Sequence, residues 1–195
     1  MVHSDTLVEE HISGIPGDAF IQDFMLGETE SGINTIRVCK EFVKFNERCF
    51  AKLLGDMRSY NYVMVLTQDF DAQQYRVRAI DFDRQCHEGD LKVYFPQFYR
   101  ENQPVVELVW DSLPRETILQ YQSEERSLMK RRATSARIRL TSLFDTMSIH
   151  RIAPRNNLRE LAAALSKYHR DPSFGRCHSM GDLTQKHLYA TLEIP

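Results

Sequence analysis

The chain has no long apolar run, no cysteine framework and no excess of charge of one sign. No stretch approaches the roughly 20 apolar residues that a membrane-spanning helix requires, and the first residues lack the basic start and apolar run of a signal peptide. Its 27 acidic residues nearly balance 25 basic ones, so overall charge does not favour nucleic acid or a membrane surface as a partner. We therefore expect a soluble, cytoplasmic protein.

The cysteines show no spacing typical of disulfides or zinc sites. They are Cys39, Cys49, Cys86 and Cys177. Two of them fall within one helical pattern, and none belongs to a Cys-x2-Cys pair, so we interpret them as free thiols of a reducing compartment. Two of them precede a histidine directly, but neighbouring side chains rarely reach one metal ion, which argues against zinc.

Lysine and arginine are missing from positions 1–33, which contain seven acids and four of the eight glycines. This part is predicted to be an acidic, irregular N-terminal segment with one short helix from about Asp18 to Leu26. Residues 34–195 are predicted to form a single domain, because the chain is 42% hydrophobic and long enough to bury a core.

A helix followed by a hairpin is predicted at the start of this domain. Asn34 is a suitable N-cap for a helix ending at Leu54 or Gly55, in which apolar residues recur every three or four positions. Residues 62–66 and 75–80 have strand patterns and are predicted to pair as a hairpin. Because the start of one antiparallel strand lies beside the end of the other, Asn61 is expected close to Asp81.

Helical patterns dominate the rest of the chain. A short helix is predicted over 105–113, and Trp110 is expected in the core. A long helix capped by Ser123 is predicted to carry an apolar stripe from Met129 to Met147, with basic residues on its solvated face. Two further helices are predicted with Asn157 and Ser179 as caps. The predicted fold class is α+β and mostly α-helical.

The loop after the first helix and the end of the hairpin carry oxygen donors. Asp56 is placed where a carboxylate can point into a cleft, while Asn61 and Asp81 supply an amide oxygen and a carboxylate. Hard oxygen ligands of this kind suit Mg²⁺ rather than zinc. Arg58 offers positive charge to a phosphate group, so the stretch has the components of a phosphoryl-transfer site.

These residues resemble two motifs of the protein-kinase-like phosphotransferases. The run Asp56-Met57-Arg58-Ser59-Tyr60-Asn61 resembles their catalytic loop, and Ile80-Asp81-Phe82-Asp83 resembles their metal-binding segment. The Gly-Asp start is more similar to the aminoglycoside and choline kinases than to the protein kinases.

The resemblance implies a kinase-like C-terminal lobe whose β-hairpin carries the site, followed by a helical bundle. It implies Asp56 as catalytic base with Arg58 facing phosphate, ATP and Mg²⁺ as cofactors, and Asn61 and Asp81 as cofactor-binding residues. The implied metal ligands are Asn61, Asp81 and Asp83.

The pattern departs from the family at several positions. Leu54 stands where the family usually has histidine, Asp83 replaces a glycine, and no glycine-rich phosphate loop precedes Asp56. The resemblance therefore covers about residues 18–195, as a C-terminal lobe only. We expect an ATP- and Mg²⁺-dependent phosphotransferase lobe that acts on an unknown phosphate acceptor and works with an N-terminal lobe or partner chain. The alternative is a non-catalytic kinase-like binding module.

Overall fold

The protein is mostly helical, with one small antiparallel sheet, which confirms the predicted α+β class at that level. The computed structural model describes residues 14–25, 33–69 and 72–195. Its helices are α1 (Gly17–Phe20, extended by a π-helical turn, Ile21–Met25), α2 (Thr35–Ala51), α3 (Gln103–Ser112), α4 (Arg115–Ser135), α5 (Arg137–Ile149), α6 (Arg155–His169) and α7 (Met180–Leu192).

The sheet contains the predicted hairpin and one additional strand. Its strands are β1 (Ile15–Pro16), β2 (Tyr62–Asp69) and β3 (Ala72–Ala79), in the order β1-β2-β3. In the hairpin, Tyr62 pairs with Ala79 at the open end and Asp69 with Ala72 near the turn. The strands are longer than predicted because ladder pairing continues through the polar residues on both sides of the turn. Strand β1 has only two residues and no alternating pattern to reveal it.

Helix α2 forms the centre of the main core. The predicted N-cap is confirmed, because the side-chain oxygen of Asn34 accepts a hydrogen bond from the Arg37 amide at 3.1 Å. The helix ends at Ala51, before the predicted end, because Leu53 adopts a left-handed φ of 48°. Its buried side chains pack with α3 and the hairpin; they include Val38, Phe42, Phe45 and Cys49.

The segment 14–25 packs onto the same core. Phe20 and Ile21 are buried in the cluster that contains α2, and β1 pairs with β2. Gly17 is required where α1 meets the hairpin, since a Cβ atom there would clash with the Tyr62 ring and with the Ser59 carbonyl oxygen. The predicted short helix is observed as far as Met25, and Leu26 lies outside the described residues.

The prediction of one long helix capped by Ser123 is wrong. Helix α4 begins at Arg115, directly after Pro114, and Ser123 lies inside it. A break at Ala136, with φ −100° and ψ 16°, separates α4 from α5. The apolar stripe continues across this break, so its periodicity gave no sign of two helices.

The predicted start of α6 is also displaced. This helix begins at Arg155, after Pro154, and Asn157 lies within its first turn. The Asn157 amide instead donates a hydrogen bond to the His87 carbonyl oxygen at 2.9 Å. Proline has the φ that precedes or starts a helix, and at both displaced starts it marks the boundary better than the more distant polar residue does.

Other side-chain predictions had mixed outcomes. Ser179 caps α7 in a reciprocal capping box with Asp182, as predicted. Trp110 was expected in the core, but this prediction is wrong, because 65% of the side chain is exposed.

Among the described helices, none has both the length and the apolar character needed to cross a bilayer.

Candidate functional site

The loop Gly55–Asn61 connects α2 to the hairpin and carries the predicted catalytic residues. Asp56 has a left-handed backbone with φ 56°, which costs a non-glycine residue about 1 kcal/mol. Its amide N–H is directed to the Val93 carbonyl oxygen at 3.2 Å and the Tyr99 hydroxyl at 3.1 Å. Surrounding groups therefore hold Asp56 in a strained conformation, a feature common at functional sites.

Asn61 connects this loop to the hairpin. Its side-chain amide donates to the Asp56 carbonyl oxygen at 2.7 Å, and its own carbonyl oxygen accepts a bond from the Ile80 amide at 3.0 Å. Only 7% of Asn61 is exposed. The start of β2 thus lies beside the end of β3, and the predicted proximity of Asn61 to the Asp81 segment is observed in the backbone.

The segment that follows β3 also contacts the chain at the start of the loop. A Cβ atom at Gly55 would lie 2.8 Å from the Arg84 carbonyl oxygen, and the Cys86 amide donates to the Leu53 carbonyl oxygen at 2.8 Å. Asp81 lies between these contacts and the hairpin. One of its carboxylate oxygens accepts a bond from the Asp83 amide at 3.0 Å, which forms a tight local turn.

Arg58 is held by two carboxylates and an aromatic ring. Its guanidinium lies 2.9 Å from Asp56 and 2.7 Å from Glu101, and 5.1 Å from the centre of the Tyr99 ring. Hydrogen bonds to Asp56 and then to Glu101 raise the pKa of Arg58. All three charged side chains are about one-third exposed, so the predicted base and phosphate-facing residue are in contact with each other.

Sequence reasoning missed Asn102, whose side chain forms hydrogen bonds with the backbone of the loop. This fully buried residue donates hydrogen bonds to the carbonyl oxygens of Met57, at 2.9 Å, and Pro96, at 2.8 Å. It also accepts one from the Tyr62 hydroxyl at 2.9 Å. Asn102 is the last residue in a run of short 3-10 turns, where no periodic pattern marks a residue as internal.

The assignment of Asn61, Asp81 and Asp83 as metal ligands remains a prediction. Within the described part of the chain, no group of three or more His, Cys, Asp or Glu side chains is arranged to hold a metal ion. Asn61, Asp81 and Asp83 offer an amide and two carboxylates at one end of the hairpin, which is a donor set compatible with Mg²⁺.

Comparisons of the chain with known protein families, with curated proteins and with solved structures found no significant match. The candidate site is therefore defined by the geometry of its own residues.

Proposed function

We propose that this chain is the catalytic lobe of a kinase-like phosphotransferase that uses ATP and Mg²⁺. The observation that carries the proposal is the pair of hydrogen bonds from Asn61 to Asp56 and from Ile80 to Asn61. These bonds join the two sequence motifs that resemble the kinase catalytic loop and metal-binding segment. The strained backbone of Asp56 supports a functional role for the loop.

The residues have complementary roles in this proposal. Asp56 would orient the acceptor hydroxyl, and Asn61, Asp81 and Asp83 would hold Mg²⁺, which would supply charge compensation for the phosphates. Arg58 turns from Asp56 toward the transferred phosphoryl group. Phosphoryl transfer depends mainly on positioning and on compensation of charge, which these side-chain types supply. A phosphate-covering lobe, from an N-terminal region or a partner chain, completes the site.

A second candidate is a non-catalytic kinase-like binding module. The contact between Asp56 and Arg58 favours it, because each charge is already balanced. A base held by an arginine is less free to accept a proton from a substrate.

Thermal unfolding with ATP separates the two candidates, because a ligand that binds only the folded state raises the melting temperature. For a phosphotransferase lobe, we expect ATP to raise it only when magnesium is present. This rise should disappear in Asp81→Asn and persist in Asp145→Asn, a control at an exposed position of α5. No magnesium-dependent rise in the unmodified chain would favour the binding module.

Turnover of ATP then distinguishes catalysis from binding. We expect the Asp56→Asn variant to keep the magnesium-dependent rise in melting temperature and to lose ATP hydrolysis. If the unmodified chain hydrolyses ATP and Asp56→Asn does so at the same rate, Asp56 is not the catalytic residue.

A further inference from the structure

A cavity of about 550 Å³ lies among α2, α4, α5 and α7. This volume lies in the range of small-molecule sites. The cavity opens to solvent, because Phe82 and Leu143 at its wall are 44% and 52% exposed. An apolar ligand fits the greater part of it, because most of the wall is apolar. The apolar side chains include Met129, Ala133, Leu140, Phe144, Leu188 and Leu192.

Unpaired polar atoms are concentrated at the wall of this cavity. Within the described part of the chain, the buried side-chain atoms that lack a hydrogen bond belong to Arg48, Glu125 and Thr184, and all three residues line the cavity. The Thr184 hydroxyl faces the Cys86 thiol, whereas the unpaired atoms of Arg48 and Glu125 belong to charged groups. Because buried polar groups are normally hydrogen-bonded, this wall is suited to a polar group that the protein itself does not supply.

The carboxylate of Glu125 has a balanced charge but no hydrogen bond. Glu125 is only 1% exposed, and its carboxylate lies 3.4 Å from Nη1 of Arg48. Neither this Nη1 atom nor either carboxylate oxygen has a hydrogen-bond partner among the described residues. Nη2 of the same arginine, in contrast, donates to Glu41 at 2.5 Å and to the Val77 carbonyl oxygen at 3.1 Å. The unfilled capacity is therefore two acceptor oxygens beside one N–H donor.

These groups select an uncharged head group that both donates and accepts hydrogen bonds. A carboxylate or phosphate would bring no donor to the Glu125 oxygens and would be repelled by their charge. An ammonium would donate to Glu125 but would also face Arg48, Lys52 and Arg132, which line the same cavity. A hydroxyl can donate to a Glu125 oxygen and accept from Nη1 of Arg48, so that it satisfies both unpaired groups at once.

We propose that the cavity binds an aliphatic alcohol, with the hydroxyl between Glu125 and Arg48 and the alkyl chain along the apolar wall. The wall selects an alkyl chain over a sugar or nucleotide, whose further polar groups would lack partners there. The unpaired atoms are covered from solvent, so a side chain of the wall turns aside when the ligand enters. Met129 and Lys52, which line the cavity, have long unbranched side chains that can do so.

The cavity adjoins the segment that carries two of the proposed metal ligands. Phe82, which lies between Asp81 and Asp83, forms part of its wall, so a ligand in the cavity contacts this segment. The inference rests on the unpaired groups of Arg48 and Glu125, and it does not depend on phosphoryl transfer.

Titration calorimetry with two isomers tests the hydroxyl. In the absence of ATP and magnesium, 1-octanol should bind the full chain at one site per molecule, below its solubility limit. Its isomer 1-methoxyheptane has no O–H donor and should bind at least about tenfold more weakly, the factor expected from one lost hydrogen bond to a charged group. Octanoate and octylammonium, which have charged head groups, should also bind at least about tenfold more weakly than 1-octanol.

Variants of Glu125 test the position of the hydroxyl. Glu125→Met should bind 1-octanol and 1-methoxyheptane equally, and replacement of a buried ionic group by an apolar one is often compatible with folding. Glu125→Gln keeps a carbonyl acceptor and should retain part of the preference for 1-octanol. Glu124→Met is the matched control, because Glu124 is the neighbour on the same helix but lines a different pocket; it should retain the full preference.

A substitution in the apolar wall tests the position of the alkyl chain. Ala133→Phe, which fills the cavity, should abolish the binding of 1-octanol while the melting curve shows a folded protein.

Several results would overturn the proposal. They are equal affinity of the unmodified chain for the two isomers, tighter binding of either charged probe, a full preference for 1-octanol in Glu125→Met, and no binding by the folded unmodified chain. A dimer in sedimentation experiments that dissociates in Ala133→Phe would instead make the cavity an interface between two copies of the chain.

Discussion

Asn102 connects the candidate loop to neighbouring segments through buried hydrogen bonds. Its single amide joins Met57, Pro96 and Tyr62, three positions that are distant in sequence or belong to different segments. Loss of this side chain removes a donor from the Met57 carbonyl oxygen and the acceptor of the buried Tyr62 hydroxyl, while the Pro96 carbonyl oxygen keeps the Tyr99 amide. Unpaired buried polar groups are costly.

The substitution Asn102→Ala should lower the free energy of unfolding by about 2–4 kcal/mol, because several buried hydrogen bonds are lost together. Urea denaturation measures this change. Asn156→Ala is the control, since Asn156 is exposed and its side-chain oxygen accepts a hydrogen bond from the exposed Arg159; its effect should stay within about 0.5 kcal/mol. Equal effects of the two substitutions would contradict the role given to Asn102.

His187 is a second buried polar residue, and it makes stability depend on pH. Its ring nitrogens lie 2.8 Å from the Phe50 carbonyl oxygen and 3.0 Å from His169. The pKa of His187 is lowered from 6.5 to about 4, mainly because burial removes water from the ring. The hydrogen bond to the Phe50 carbonyl oxygen opposes this shift, and repulsion from His169 adds to it. The His169 ring also has a lowered pKa because of burial.

Because the unfolded chain binds a proton at His187 more tightly than the folded chain, stability should fall as pH decreases from 6.5 toward 4. The loss at His187 should approach about 3 kcal/mol, the equivalent of the pKa difference. Urea denaturation at several pH values measures it. A His187→Asn variant should be less stable at neutral pH but should lose less stability over this range. Equal slopes for both proteins would show that His187 does not titrate there.

At the scale of elements, the crossing of α5 and α7 depends on Gly181. A Cβ atom at this position would lie 2.6 Å from the Ser148 amide nitrogen and 2.7 Å from the Phe144 carbonyl oxygen. Both atoms belong to the backbone of α5 and cannot rotate away. The two helices therefore pack at a distance that only glycine permits.

Gly181→Ala should destabilise the protein by about 1–3 kcal/mol, the usual cost of overpacking. Gly175→Ala is the matched control, because a Cβ atom at Gly175 has nothing within 4 Å, and it should change stability by less than about 0.5 kcal/mol. Thermal and urea unfolding measure both. A neutral Gly181→Ala would show that α5 can move away from α7.

Elements defined by local physics were predictable from the sequence. A short apolar run and a period-two alternation revealed the two strands of the hairpin, and the caps at Asn34 and Ser179 have clear chemical signals. The boundary between α4 and α5 was not predictable, because the apolar stripe runs through Ala136 without interruption. Strand β1 was missed because two residues, one of them proline, are ordered by pairing with β2 rather than by their own preference.

At the scale of the molecule, the candidate loop lies between two cores. Leu54 and Met57 are buried in the cluster around α2 and the sheet. Leu53 and Tyr94 belong to a second cluster formed with α6 and α7. The consecutive residues Leu53 and Leu54 are thus buried in different cores. Packing on both sides holds the loop in place, which explains how Asp56 retains a strained backbone.

The candidate site was predictable in position but not in its contacts. The hairpin alone placed Asn61 beside the Asp81 segment. Pairing of Arg58 with Asp56 and Glu101 depends on where the turns after Asp90 bring residue 101, and irregular turns have no sequence periodicity. The cavity likewise arises from four helices that meet only in the folded chain.

Calorimetric titration of the chain with ATP, with and without magnesium, tests the central proposal most directly. The account predicts binding that requires magnesium in the unmodified chain and is lost in Asp81→Asn, while Asp145→Asn binds normally. Unchanged affinity of Asp81→Asn for Mg-ATP would contradict the role of Asp81. No binding of Mg-ATP by the folded unmodified chain would contradict the assignment of a nucleotide site to this chain alone.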